Sequence, residues 1–306
     1  MSRPGLIIGL GGTGQWVLTW LKRDLLLSNS GQMPKTLRLL EFDTARRLEA
    51  TATRITERGE KEEAAAVGGV MLDAMEFIHI GGNALSMVKD MDEKGAYPQI
   101  RKWFNAETWL RTQTQATFNL DEGAGRLRQF GRLAIYKDVL GGEVKSVIWR
   151  ALVNAMEGVR ASATQQHPLE IMLVGSFAGG TGSGTFIDMA LILRLLANKY
   201  HIPHVMRGIF ALPSVFTTQP TDDMKARCFA AWRELNRFMV VDEEFSMPEV
   251  AYIENNQNFS VRPNQRLFDA CYLVDGRRNG QPLTDEAKTG VFPMLAEAIS
   301  AFLDEN

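Results

Sequence analysis

Two glycine runs stand where chemistry needs exposed backbone: Gly9-Leu-Gly-Gly-Thr-Gly14 and Gly179-Gly-Thr-Gly-Ser-Gly184. Glycine allows positive φ and lets a ligand approach the main chain closely. Each run follows an apolar stretch and opens a helical spacing. The free peptide N–H groups and partial positive charge of such a junction suit phosphate oxygens. Thr181 and Ser183 offer hydroxyl donors as well. Neither run ends in Lys-Ser/Thr, which argues against a Walker-type phosphate loop. Taken alone, the first run fits a dinucleotide fingerprint, with Asp43 at the end of the next strand placed for a ribose hydroxyl. It equally fits glycines that only permit tight helix–strand packing.

Regular elements must position these runs. Leu6-Ile-Ile-Gly9, Leu37–Phe42, Phe77–Ile80, Leu169–Val174, Val205–Leu212 and Ala270–Val274 read as strands. Helical spacing follows from Trp16, over about Gly142–Ala161 (Val144, Val147, Ile148, Ala151, Leu152 and Ala155 on one face), over Thr185–Ala197, over 222–241 and over 291–303. The alternation predicts an α/β fold, doubly wound, with a mostly parallel sheet covered on both faces. Residues 83 to about 122 break the rhythm with charges and aromatics and are read as an insertion with some helix, its aromatics counted as core. The whole of 1–306 is read as one domain.

The run Ala178-Gly-Gly-Thr-Gly-Ser-Gly184 between strand and helix resembles the signature of the tubulin/FtsZ superfamily. Three further motifs follow in that family's order. They are the first glycine run, Gly123-Ala-Gly125 with Gly131-Arg132 five residues on, and Leu212-Pro213 followed by Asp223 and Arg227. The chain is most similar in pattern to the divergent bacterial tubulin-like proteins. The resemblance implies GTP or GDP as ligand, with Mg²⁺ accompanying the triphosphate, and head-to-tail self-association. It also implies von Willebrand A-domain proteins as partners. The nucleotide would lie on Gly11, Gly12, Thr13, Gly14, Gly123, Ala124, Gly125, Ala178, Gly179, Gly180, Thr181, Gly182, Ser183 and Gly184. Asp43 is a looser transfer, since Phe42-Asp43-Thr44 stands where relatives have Asn-Thr-Asp. Asp223 would face the ribose, with Arg227 near the nucleotide. Phe292 would stack on the base and Glu297 would pair with it, although Pro293 falls where that helix should already be running. No catalytic residue is assigned. The family's hydrolytic carboxylates belong to a loop after that helix, and this sequence stops at Asp304-Glu-Asn306. The expectation is a chain without the C-terminal tubulin domain, whose hydrolysis needs a neighbouring subunit or further sequence.

Composition narrows the alternatives. Of 306 residues, 45% are apolar and 23% charged, as in an ordinary globular protein. A net charge of −2 from 34 basic and 36 acidic residues gives no basic field for nucleic acid. Cys228 and Cys271 read as buried thiols, and Phe186–Leu196, carrying Asp188 and Arg194, is too short and charged to span a bilayer. A cytoplasmic protein is expected. His201 and His204 lack a nearby carboxylate at metal-ligand spacing. Arg126, Arg128 and Arg132 face phosphates, solvent or a partner. Two rivals stay open: an NAD-dependent enzyme using the first run and Asp43, and a scaffold that kept the fold without the nucleotide.

Overall fold

The computed structural model describes residues 3–46, 52–55, 61–64, 66–125, 127–217, 220–242, 244–279, 281–283 and 287–304. Its centre is a six-stranded sheet of β1 (Gly5–Leu10), β2 (Leu37–Asp43), β3 (Phe77–His79), β4 (Leu169–Ser176), β5 (His204–Ala211) and β6 (Ala270–Val274). The spatial order is β6-β5-β4-β1-β2-β3, and every pairing is parallel. Parallel strands are buried on both faces, which explains the apolar runs Leu6–Ile8 of β1 and Ile171–Val174 of β4, without alternation. Both are buried along their whole length.

Helices cover the two faces. On one lie α1 (Gly11–Ser28) and α8 (Phe292–Leu303), where Val17, Leu21, Phe292 and Ile299 pack against Ile7 of β1 and Met172 of β4. The other face carries α4 (Arg128–Val139), α5 (Val147–Arg160) and α6 (Gly180–Lys199), packed on Leu6, Ile8, Ile171 and Leu173. Successive β1 residues therefore feed opposite cores, as the period of two requires. Between β3 and α4 the chain forms α2 (Leu85–Glu93) and α3 (Ala106–Thr112). Phe104 and Phe118 of this stretch are buried to 1% exposure, and Phe104 and Trp109 both pack on Phe130 of α4. These aromatics extend the core.

The helix expected over Gly142–Ala161 is broken at Ser146. Ser146 caps α5 by accepting from Trp149 N at 3.0 Å, and the Asp138 carboxylate accepts from Val147 N and Ile148 N at 3.0 and 3.1 Å. The break turns the short Gly142–Lys145 helix outward, so Val144, expected on the buried face, is 81% exposed. The helix expected from Thr185 begins earlier, at Gly180, so the second glycine run is itself the first helical turn. A further helix, α7 (Asp222–Met239), follows β5. No helix among the described residues is long and apolar enough to cross a membrane.

Candidate functional site

The sheet order reverses between β1 and β4, and a crevice opens there beyond the strand ends. The loops leaving β1 and β4 are the two glycine runs. Together with residues 122–125 they line a cavity of about 750 Å³. Gly11, Gly12, Thr13, Asp43, Gly123, Ala124, Gly125, Ala178, Gly179, Gly180, Thr181, Gly182, Arg227 and Phe292 are all on its wall.

The glycines divide by what a side chain would meet. At Gly179, whose backbone is extended (φ −91°, ψ 166°), and at Gly125 (φ +55°), a Cβ would find nothing within 4 Å. These two face open space. At Gly14 a Cβ would stand 2.6 Å from the backbone of Gly9, and at Gly182 2.8 Å from the Ser176 carbonyl oxygen. Those two glycines let α1 and α6 sit down on their strands, so the packing reading holds for them. Gly184 is likewise pressed on the Arg128 carbonyl. It lies, with Ser183, on a smaller neighbouring cavity lined also by Arg128, Arg132 and Asp188.

The two hydroxyls expected to donate to phosphate are already engaged. Thr181 donates to Asp43 Oδ1 at 2.9 Å and lies 2.8 Å from the Thr44 hydroxyl, while Ser183 donates to the Gly179 carbonyl. Asp43 is 3% exposed. Burial pushes its carboxyl up to about 6, against the lowering effect of the Ala45 N–H and Thr181 hydroxyl. The His79 Nε2 stands 2.9 Å from the Thr44 carbonyl and 3.0 Å from Asp121, bracing the turn that follows β2.

Arg227 reaches the cavity from α7, and its buried Nε has no hydrogen-bond partner among the described residues. Asp223, one turn earlier, is exposed and off the cavity wall. Phe292 opens α8 after a π-helical turn over Ala287–Val291, and Pro293 fits there because it falls in the first helical turn. Five residues advance a helix by about 140° around its axis. Glu297 accordingly points away and is exposed beside Asp24, Ser300 and Asp304, off the cavity wall.

Arg132, a candidate to face phosphates, is clamped elsewhere: its Nε donates to Asp188 Oδ2 of α6 at 2.9 Å. Arg128 pairs with Glu234 and donates to the Ser183 carbonyl. Arg126 lies outside the described residues. Sequence reading missed Trp16, Phe216, Glu122 and Lys288, all on the cavity wall. Trp16 carried a signal, since it lies one turn beyond Gly12 and Thr13 on the same helix face. Lys288 carried none.

Residues 6–306 match the family model described as "Tubulin like". Among solved structures the chain is similar to CetZ from Methanosaeta thermophila, at 14% identity and TM-score 0.50, covering 98% of this chain and 54% of that one. CetZ2 from Haloferax volcanii, solved as a GTPγS-bound protofilament, gives 14% identity and TM-score 0.49, over 98% of this chain and 57% of that one. TubZ of Clostridium botulinum phage c-st gives 12% identity and TM-score 0.43, over 99% and 59%. The chain thus spans less than two thirds of the length of these structures, and at such identities the likeness concerns the fold. A comparison with curated proteins finds no match.

Proposed function

The chain belongs to the tubulin-like family, and from that membership we propose that the cavity at the β1/β4 crevice binds a guanine nucleotide. One observation carries the reading: three glycine loops and the Arg227 guanidinium converge on a single space of about 750 Å³. That volume lies in the usual range for a small-molecule site. The open faces of Gly179 and Gly125 leave room for phosphate oxygens against the backbone, and the Arg227 side chain lies on the same wall. Mg²⁺ fits the donor set, because this ion takes one or two carboxylates beside phosphate oxygens and waters. Among the described residues Glu122 is the exposed carboxylate on the wall, whereas Asp43 is buried and already accepts from Thr181. The cation would neutralise charge on the triphosphate.

Within this reading the backbone of Gly11–Thr13 and Ala178–Thr181 cradles phosphates, and Arg227 neutralises charge from the α7 side. Phe292 and Trp16 wall the base. Head-to-tail self-association, with hydrolytic carboxylates supplied by a neighbouring subunit, follows from the family and is part of the proposal. The NAD reading needs Asp43 on a ribose hydroxyl, yet that carboxyl is buried and held by Thr181.

The test is chemical identification of nucleotide released from denatured purified protein, together with thermal shifts in GTP, GDP and NAD. A ligand bound only by the folded state adds about 2.7 kcal/mol at a hundredfold excess over its Kd. A shift with guanine nucleotides and none with NAD is expected. The reverse pattern would establish the dinucleotide reading, and no shift with any would leave the scaffold.

A further inference from the structure

We propose, resting on the nucleotide reading above, that Arg128 and Glu234 are positioning residues of the nucleotide site, their ion pair setting Arg227 against the signature loop. Arg128 opens α4, three residues after the Gly123–Gly125 loop. It is tied to the signature loop twice. Its Nε donates to the Ser183 carbonyl at 3.1 Å, and its own carbonyl fills the space that a Cβ at Gly184 would need. The guanidinium then reaches across to α7, where Nη1 donates to Glu234 Oε1 at 3.3 Å and Nη2 pairs with Oε2. Such a two-pronged pair fixes the direction of the carboxylate as well as its distance.

Glu234 follows Arg227 by seven residues on the same helix. Seven residues return an α-helix to within about 20° of the same face, roughly 10 Å along its axis. The stripe shows in what the side chains line. Met224 and Arg227 are on the nucleotide cavity, while Glu234 and Phe238 are on the neighbouring cavity with Arg128, Ser183 and Gly184. Between the two stretches Ala231 is fully buried and Leu235 nearly so. Apolar burial holds α7 to the core but is non-directional, so polar contacts decide its slide and rotation. At the far end the Phe238 carbonyl accepts from Leu267 N at 3.1 Å, and midway Glu234 accepts from Arg128. The second contact refers α7 to the loop proposed to carry the phosphates. It thereby sets the Arg227 guanidinium at a defined distance from them, and a hydrogen bond weakens steeply once its length or angle is wrong. Arg128 spends its donors on Ser183 and Glu234 and lines the neighbouring cavity, so it acts through Arg227 rather than on the ligand.

Titration calorimetry with GDP and Mg²⁺ tests the assignment on the wild-type chain, Glu234→Ala, Arg227→Met and the double variant, with urea unfolding of each in the ligand-free state. The Glu234 side chain is 51% exposed, and a half-exposed ion pair contributes little to stability, so Glu234→Ala should unfold as wild type does. Its GDP affinity should nevertheless fall by about threefold to tenfold. Added to Arg227→Met, the same substitution should weaken GDP no further, because the residue through which the pair acts is gone. Wild-type GDP affinity in Glu234→Ala would overturn the assignment. So would an equal loss with Arg227 present and absent, since the pair would then act on something else. Either result leaves the nucleotide reading standing. No binding of GDP by the wild-type chain would overturn that reading, and this assignment with it.

Discussion

The Thr181 hydroxyl donates to Asp43 Oδ1 at 2.9 Å, so the loop that opens α6 and the end of β2 form one hydrogen-bonded unit. Burial raises the Asp43 carboxyl from 3.8 to about 6. An acid whose folded pKa lies above its unfolded value takes up a proton on folding within that window. Its contribution to stability is full below about 3.8 and is lost as pH rises through about 6. Asp43→Asn keeps the acceptor without the charge. Relative to wild type, the ligand-free variant should be equally stable near pH ~3.5 and more stable by roughly 1–3 kcal/mol above pH ~6.5. Urea unfolding across that range measures the difference, and a difference flat in pH would refute the assignment.

Gly179 and Gly182 should fail in opposite ways. Gly179 faces open space in an extended conformation that a branched residue tolerates, so Gly179→Val should fold as wild type and lose guanine-nucleotide affinity by about tenfold or more. A Cβ at Gly182 meets the Ser176 carbonyl oxygen rather than the cavity, so Gly182→Ala should lose stability by roughly 1–3 kcal/mol. Denaturant melts and nucleotide titrations on the pair separate steric exclusion from strain. Normal binding by Gly179→Val would move the phosphates elsewhere.

Removing Arg227 tests its charge. Arg227→Met should weaken GDP by about tenfold to a hundredfold, the usual loss for a hydrogen bond to a charged group. The ligand-free variant should be no less stable than wild type, since a buried Nε with no partner among the described residues disappears with the substitution. Equal GDP affinities before and after would take Arg227 out of the site.

Arg132 should matter for folding and not for ligand. Asp188 is 1% exposed and Arg132 is its ion-pair partner at 2.9 Å. Stripping a buried charge of its partner costs about 3–5 kcal/mol. Arg132→Met should therefore lower the urea midpoint sharply, while the folded variant keeps the wild-type GDP-induced thermal shift. A lost shift in a stable variant would return Arg132 to the phosphates.

The succession of strands and the parallel sheet were legible because parallel strands buried on both faces leave apolar runs, as at Leu6–Ile8 and Ile171–Val174. The converging loops were legible as glycine runs of uncommon density. Direction was harder to read. Which way a glycine's Cβ position points depends on helix phase, and so Gly182 and Gly179 look alike in sequence although a Cβ would meet the Ser176 backbone at one and open space at the other. Glu297 lies off the cavity for the same reason, on the exposed side of α8 while Phe292 faces the crevice. The Ser146 break owes its origin to Asp138, a carboxylate on α4 that caps α5, and no local pattern records such a partner.

Gly131 lies so close beneath the signature loop that a Cβ there would stand 2.5 Å from the Gly180 carbonyl oxygen. Close-packed interiors have little compressibility, so no slack exists between loop and helix. A shift of the loop by a fraction of an ångström has to be handed on to α4. One residue further, Arg132 grips α6 through Asp188 and lies 4.5 Å from the centre of the Trp103 ring. Loop, helix and indole thus stand in series, joined through Gly131, Arg132 and Asp188.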